Sequence, residues 1–524
     1  MPINAPAGLA PRAEFTARGL IIGVLITVVF TAANVFFGLK AGLTFSTSIP
    51  AAVISMAILR GFRDATMQEN NIVQTVASAA GTLSAIIFVL PGLIMVGWWT
   101  GFPYWVSVGI CATGGILGVM YTIPLRRALV TNSDLPYPEG VACAEVLRSA
   151  GNPGSAQSAE SVESSAAGLK AMVMGSVVSA AFYVVVQTRI FTSDVAHYFR
   201  FGGEKSAASG FDFSLSFALL AIGHLVGLWV GIAMLTGALV GWAWAVPHFT
   251  LLHPVAGAAA DAAQGAWSHY VRFVGAGTIG IAAVWTLMTL VKPVMGGLRG
   301  AMAAARVRKA GNAHTLPLTE QDIPIGTVFL VSLVCLVPIA FLLWHFSVTS
   351  GLGSHALLLT VCGVAFVVIL SAFVSAVCGY MAGLIGASNS PLSGVGILVV
   401  VVAALLLVVG VKSQLPAEGG KALVAFALFL TSIVFAVASI ANNNLQDLKT
   451  GQLVDATPAK QQWALVIGVI AGALVIPPVL DLLNHSYGFL GAPGADPARA
   501  LPAPQAGLIS ALAQASSRTT LIGR

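Results

Sequence analysis

The sequence predicts an all-α, polytopic transmembrane helical bundle, and three observations carry that expectation. Hydrophobic residues make up 57% of the 524 and charged residues 8%, where a soluble domain carries about 25% charged residues. The apolar stretches run unbroken for about 20 residues, enough to cross the hydrocarbon layer as a helix, and lack the ten-residue alternation of a membrane barrel. Lys and Arg cluster between these stretches, as they do in the short loops that orient membrane spans. Lipid admits only helices and closed barrels because backbone N–H and C=O groups find no water there.

Taken in order, the apolar runs predict spans near 19–39, 43–59, 72–97, 104–123, 170–190, 214–233, 234–250, 270–291, 325–345, 356–384, 391–411, 421–440 and 463–480. That is about thirteen at ~20 residues each. The first run is too long for a signal-peptide core and lacks a cleavage site, so it is expected to remain as a span. Arg12 and Arg18 precede it, Arg60 and Arg63 follow the second, and Arg126 and Arg127 follow the fourth. Lys292, Arg299, Arg306, Arg308 and Lys309 follow the eighth. All fall on one side if 214–250 is split in two, which predicts a cytoplasmic N-terminus in the cell (inner or plasma) membrane. The chain is expected to form a single transporter domain over 1–524, with cytoplasmic loops at 124–169 and 292–324. The segment 150–166 is small and polar, with little to order it.

Several function classes are excluded. The net charge of +6 lies in loops and forms no basic face for nucleic acid. Cys111, Cys143, Cys335, Cys362 and Cys378 show neither a disulfide framework nor metal-ligand spacing, and His248 and His253 beside two prolines are too few for a metal site. No metal or other cofactor is expected. The phosphate-binding GxxxxGK[ST] loop is absent and GAGTIG (275–280) has no strand before it, so no ATPase subunit is evident. Gly114 with Gly118, Gly468 with Gly472, and Gly223 with Gly227 and Gly231 are spaced to let helices approach closely in lipid.

Four places carry candidate function. GLKAGLTFSTSIPAAVISM (38–56) and GLIGASNSPLSGVGILVV (383–400) each interrupt a span with Gly-Leu, small polar residues and a proline, then restart a helix. Predicted in opposite orientations, they have the pattern of inverted repeats, whose broken helices form a transporter's binding site. Helix N-termini there would hold an anionic group. Asn34, Lys40, Ser46 and Ser48 in the first, and Ser388, Asn389 and Ser390 in the second, are candidate binding residues. In ASIANNNLQDLKTGQLVDATP (438–458), Asn442, Asn443 and Asn444 offer amide donors and acceptors suited to peptide bonds or chelates. Around PYPEG (136–140), Glu139 starts a short helix and Glu145 lies off its face, so paired-carboxylate chemistry is unsupported. Glu139, Glu145, His224 and Asp447 are the candidates for proton coupling, since ionisable groups at membrane depth are costly and tend to line cavities. Each also has a plain reading as a cap, a packing residue or a solvated side chain.

NVFFGLKAGLTFSTSIPAAVISMAILR (34–60), PYPEGVACAEVL (136–147), SNSPLSGVGI (388–397) and NNNLQDLKTG (442–451), spread in order along the chain, resemble signature segments of the oligopeptide transporter family, closest to its bacterial members. The resemblance implies an all-helical carrier of about sixteen spans, usually proton-coupled, that imports small peptides. In its yellow-stripe-like branch the cargo is a metal held by an organic ligand, such as a siderophore or nicotianamine-like chelate. The tail ASSRTTLIGR departs from the family's hydrophobic continuation and suggests a C-terminal truncation. The expected partners are a peptide or chelate, protons and the lipid bilayer, and the chain is not expected to be an enzyme. An integral-membrane enzyme acting on lipid-linked substrates would need clustered carboxylates or histidines at one interface, which the sequence lacks.

Overall fold

The computed structural model describes residues 13–149 and 159–518, apart from 189–190, 193, 204, 216, 218–219, 221–222, 225–227, 283, 286–287, 290–317, 389, 391 and 412–418. The helices that matter below are α1 (Ala17–Ala41), α2 (Ser48–Leu59), α3 (Met67–Leu83), α4 (Tyr104–Arg126), α5 (Pro138–Ser149) and α6 (Ala159–Gln187). They continue with α7 (Leu228–Leu239), α8 (Val246–Leu252), α9 (Ala259–Ala266), α10 (Ile325–Thr349), α11 (Ala356–Ile385) and α12 (Leu392–Gly410). The last three are α13 (Gly419–Leu453), α14 (Pro458–Ser486) and α15 (Pro504–Arg518). Two strands, β1 (Asp194–Arg200) and β2 (Ala208–Ser214), pair antiparallel. The chain divides into two compact units, Met1–Leu169 with Ala283–Arg524, and Lys170–Ala282.

Helix dominates, as expected. Among the described residues, nine helical stretches are long and apolar enough to cross a membrane: Ala17–Ala41, Met67–Met95, Tyr104–Thr131, Leu228–Leu252, Ile325–Thr349, Gly353–Ile385, Leu392–Gly410, Gly420–Leu453 and Pro458–Ser486. The expected span 43–59 is corrected. Gly42 ends α1 at φ 73°, residues 43–47 are non-helical, and α2 has 12 residues, about 18 Å at 1.5 Å each, roughly half the bilayer core. The division at 233/234 also falls inside a helix, because α7 continues through a π turn at Val240–Ala245 into α8. The expected loop 124–169 contains α5 and the start of α6. The basic cluster Lys292 to Lys309 lies outside the described residues.

The first unit is organised around α13, which is buried along nearly all of its length, Ala422 to Leu448. It packs on α3, α4, α11 and α12. The small-residue spacings read from the sequence make these approaches possible. A Cβ on Gly114 would lie 2.7 Å from Ala436 Cβ, and on Gly118 2.8 Å from the Val437 carbonyl. On Gly468 it would lie 2.3 Å from the Val76 carbonyl, and on Gly472 2.9 Å from Ala80 Cβ. Such contacts drive helix association where lipid supplies no hydrophobic effect. Gly223 and Gly231 have no neighbour within 4 Å, so that stripe does not act this way among the described residues, and Gly227 lies outside them.

The buried charges Arg126, Glu69 and Glu14 sit at or near helix ends and are paired. The fully buried Arg126 at the end of α4 donates to both oxygens of Asp322, at 2.5 and 3.0 Å. Arg18 donates to both oxygens of the buried Glu69 at 2.7 and 2.8 Å. Glu14 accepts from the Thr457 N–H at 3.2 Å and so caps α14 from 443 residues away. Outside the spans, the Arg18 guanidinium holds the exposed Asp64 carboxyl below the usual carboxylate range.

In the second unit, the hairpin packs one face on α8 and α9 through Ala208, Tyr198 and Trp242. It is the part of the unit that sequence periodicity missed, since its strands, DVAHYFR and ASGFDFS, are short and flank a likewise short turn.

Candidate functional site

Both interrupted segments line one cavity. Gly42 to Ser46 come from the first, Ala387, Ser388, Ser390, Leu392 and Ser393 from the second, and Asn442 and Asn443 from α13. Thr82, Ala85 and Phe88 close it from the α3 side and Gln505 from the start of α15. The cavity holds about 100 Å³, below the roughly 300–1,000 Å³ of sites that enclose a small organic molecule. A peptide-sized cargo therefore requires the walls to separate.

The two segments reach the cavity from opposite directions. Ser48 lies beside Asp447 and Met56 clusters with Val454, so α2 leaves the cavity along the direction of α13. Ser390 bonds Asn442 while Gly396 abuts Phe435, so α12 runs back against α13. The helices α2 and α12 thus point away from each other with their N-termini at the cavity, and α15 adds a third N-terminus there. Each presents N–H groups without intrahelical partners and the positive end of a helix dipole. Among the described residues, no charged side chain lines the cavity. The electrostatics of the cavity are those of backbone dipoles, hydroxyls and amides.

The first turn is fixed from within the bundle. Asn34 Nδ2 donates to the Phe45 carbonyl at 3.1 Å and the Gly81 carbonyl at 3.3 Å, and Asn34 Oδ1 accepts from the Phe45 N–H at 3.1 Å. Thr47 Oγ1 donates to the Ala77 carbonyl at 3.2 Å. Asn34, expected to bind cargo, thus has its amide engaged by the turn it positions. The buried Ser48 contacts Ser78 Oγ at 2.8 Å and donates to Asp447 Oδ1 at 3.2 Å. Of the first group, Ser46 lines the cavity. Lys40 is exposed on the last turn of α1 and is not among the lining residues, because the αL residue Gly42 turns the chain inward after it.

The second turn is held by α5 and α13. Gly386 adopts φ 92° and ψ 153°, a region open essentially to glycine. Glu139 Oε1 accepts from the Ser388 N–H at 2.9 Å, Asn442 Nδ2 donates to the Ala387 carbonyl at 2.9 Å, and Ser390 bonds Asn442 Oδ1. PYPEG explains how Glu139 gets there. Tyr137 sits at φ 45°, its N–H donates to the Gly383 carbonyl at 2.9 Å and its hydroxyl to the Leu129 carbonyl at 2.9 Å. Burial pushes its phenol above the usual range. Gly140 lies so near α13 that a Cβ would be 2.5 Å from the Gln446 carbonyl, and its N–H donates to Gln446 Oε1 at 2.7 Å. Asn389 lies outside the described residues.

The three asparagines divide by direction around α13. Asn442 and Asn443 face the cavity, while Asn444 donates to Thr122 Oγ1 at 3.2 Å on α4 and is not a lining residue. Among the proton candidates, Asp447 is buried and joined to Asn443 Nδ2 at 3.0 Å. Glu145 is exposed and pairs with Arg148 at 3.0 Å. His224 is exposed in the second unit, whereas the cavity belongs to the first.

Sequence reasoning missed α3 as part of this site. Its buried residues include Gln68, Asn70, Asn71, Gln74, Thr75 and Ser78, joined by Gln461 of α14, which donates to Thr75 Oγ1 at 3.1 Å and the Asp447 carbonyl at 2.9 Å. The signal was present in MQENNIVQTVASAAGTL, a span whose polar residues occur on every face. Gln505 was missed as well.

The family model for the OPT oligopeptide transporter protein matches residues 14–523. The chain belongs to the oligopeptide transporter family. It is 46% identical over 489 residues to a Haemophilus influenzae protein named "Putative oligopeptide transporter", covering 91% of this chain and 75% of that one. It is also similar to a metal-nicotianamine transporter of Oryza sativa subsp. japonica, 27% identical over 28% of each chain. An iron-phytosiderophore transporter of the same plant is 29% identical over 26% of this chain and 24% of its own. Members of this family are transporters and not enzymes.

Proposed function

We propose that the chain is a secondary active transporter that imports oligopeptides across the cell membrane, driven by protons, with its N-terminus cytoplasmic, on the side where Arg18 meets Asp64 next to Arg60 and Arg63. The observation that carries this reading is the convergence of three helix N-termini on a cavity lined by Ser46, Ser388, Ser390, Asn442, Asn443 and Gln505. The positive ends of the helix dipoles suit a carboxylate, and the amides suit peptide groups. Lys40 has no part in this reading. The narrow cavity supports a cycle in which α2 and the second turn separate to admit cargo.

The rice relatives named for metal–nicotianamine and iron–phytosiderophore cargo favour a second reading, a carboxylate-rich metal chelate carried in the same cavity. The test is uptake of labelled trialanine into proteoliposomes under an imposed pH gradient, with ferric chelates as competitors. Peptide accumulation that collapses with the gradient supports the first reading, and displacement only by chelates supports the second. Uptake indifferent to the gradient overturns proton coupling.

A further inference from the structure

One turn of α13 beyond Asn443 lies Asp447, a buried carboxyl surrounded by groups of one kind. Ser48 Oγ donates to its Oδ1 at 3.2 Å and Asn443 Nδ2 to its Oδ2 at 3.0 Å. From α3, Gln74 donates to Asn71 Oδ1 and Thr75 Oγ1, at 3.1 Å each, and Ser78 bonds both Ser48 and Asn443, at 2.8 and 2.5 Å. Among the described residues no Lys or Arg forms an ion pair with Asp447; Lys449, two positions on, turns to Gln452 at 3.1 Å instead. The titratable groups that face it come from α5, Glu139 and Cys143, and neither supplies positive charge. From α2, α3 and α14 it meets hydroxyls and amides.

A buried carboxylate without a cation is too costly to persist, so the group takes up a positive charge or a proton. A metal ion would need lone pairs from its neighbours, yet Ser48 and Asn443 aim donors at the carboxyl oxygens. A proton needs no such lone pairs.

We propose that Asp447 carries the coupling proton: in the closed arrangement its carboxyl holds one proton, and the O–H bond breaks to deliver that proton to water when the cluster opens. This rests on reading the adjacent cavity as the cargo site. The coupling is built into two shared residues. Asn443 lines the cavity and binds Asp447, and Ser48 binds Asp447 while beginning α2. An ionised Asp447 demands water, and water reaches it only if α2 or the cavity wall moves. A proton lets the cluster close dry.

Two measurements on the full-length protein test this. Infrared spectra of the purified wild type at neutral pH should show the C=O stretch of a protonated buried carboxyl, lost in Asp447→Asn and shifted in Asp447→Glu. A wild type without that band, or an Asp447→Asn protein that keeps it, overturns the proposal whatever the cargo. In proteoliposomes, Asp447→Asn should retain trialanine exchange without a gradient but lose all gradient-driven accumulation. Persistent gradient-driven accumulation overturns the proposal. If the wild type does not carry trialanine, the cargo reading falls and the infrared result alone decides the proton site.

Discussion

The two turns that meet at the cavity look alike in sequence and are held in different ways. The first, 42–47, is fastened by Asn34 and Thr47 to the body of α1 and α3, with three bonds from one side chain. The second, described at 386–388 and 390, hangs between α5 and α13, and one of its fastenings is the carboxylate of Glu139 reaching from a separate short helix. A turn tied to two long helices of the bundle moves only with them. A turn tied to a neighbour can be released by shifting that neighbour. On this difference the first turn is expected to serve as the fixed wall of the cavity and the second as the wall that moves.

The sharpest way to break this comparison is Asn34→Ala. It leaves the Phe45 N–H and two carbonyls without their partner, at about 1–3 kcal/mol for each buried group. The expected outcome is a marked fall in thermal stability of the detergent-purified protein, with little folded protein to assay. A stable variant with altered cargo affinity would instead make Asn34 a binding residue. Gly386→Ala should cost less, about 1–3 kcal/mol in total, because its backbone region excludes side chains and the new Cβ would sit 3.0 Å from Glu139 Oε1. Here a folded protein with impaired transport is expected, read by comparing thermal unfolding with uptake rate.

Glu139→Gln should have a smaller effect on stability, about 1 kcal/mol, since the amide oxygen can still accept from Ser388 but without the charge that strengthens such a bond. Its measurable consequence is faster amide hydrogen exchange in the peptide around 383–392, with exchange around 42–47 unchanged. Equal acceleration in both turns would erase the distinction between them. Gln505→Ala should leave stability nearly unchanged and raise the substrate concentration needed for half-maximal uptake, since Gln505 lines the cavity from α15. Unaltered uptake would remove Gln505 from the binding surface.

Much of the architecture was legible in the sequence. Hydropathy marked most of the long helices, and Gly-Leu followed by small polar residues and proline marked both breaks. Hydropathy could not separate a half-length helix from a full one at 48–59, because α2 is as apolar as a span and differs only in where the preceding turn consumes residues. Nor could it reveal which side of α13 each asparagine faces. Three consecutive residues on a helix are about 100° apart, so Asn444 had to point away from the cavity if Asn442 and Asn443 point into it. Lys40 was overvalued because a cation beside a broken helix suggests an anion site, yet the geometry of Gly42 leaves it outside. The amide cluster of α3 was hidden because its residues are uncharged and its C-terminal half is apolar enough to pass as a plain span.

That same helix constrains how the protein can be made. Gln68 finds its partner in the Val454 carbonyl, 386 residues later in the chain, and Thr75 meets Gln461 across the same separation. A ribosome emits α3 long before either partner exists, so its amides must wait among other helices, shielded from lipid, through most of synthesis. The fold cannot be completed stepwise from its first helices. Its assembly closes only when α13 and α14 arrive, and quality control in the membrane has that whole interval in which to act.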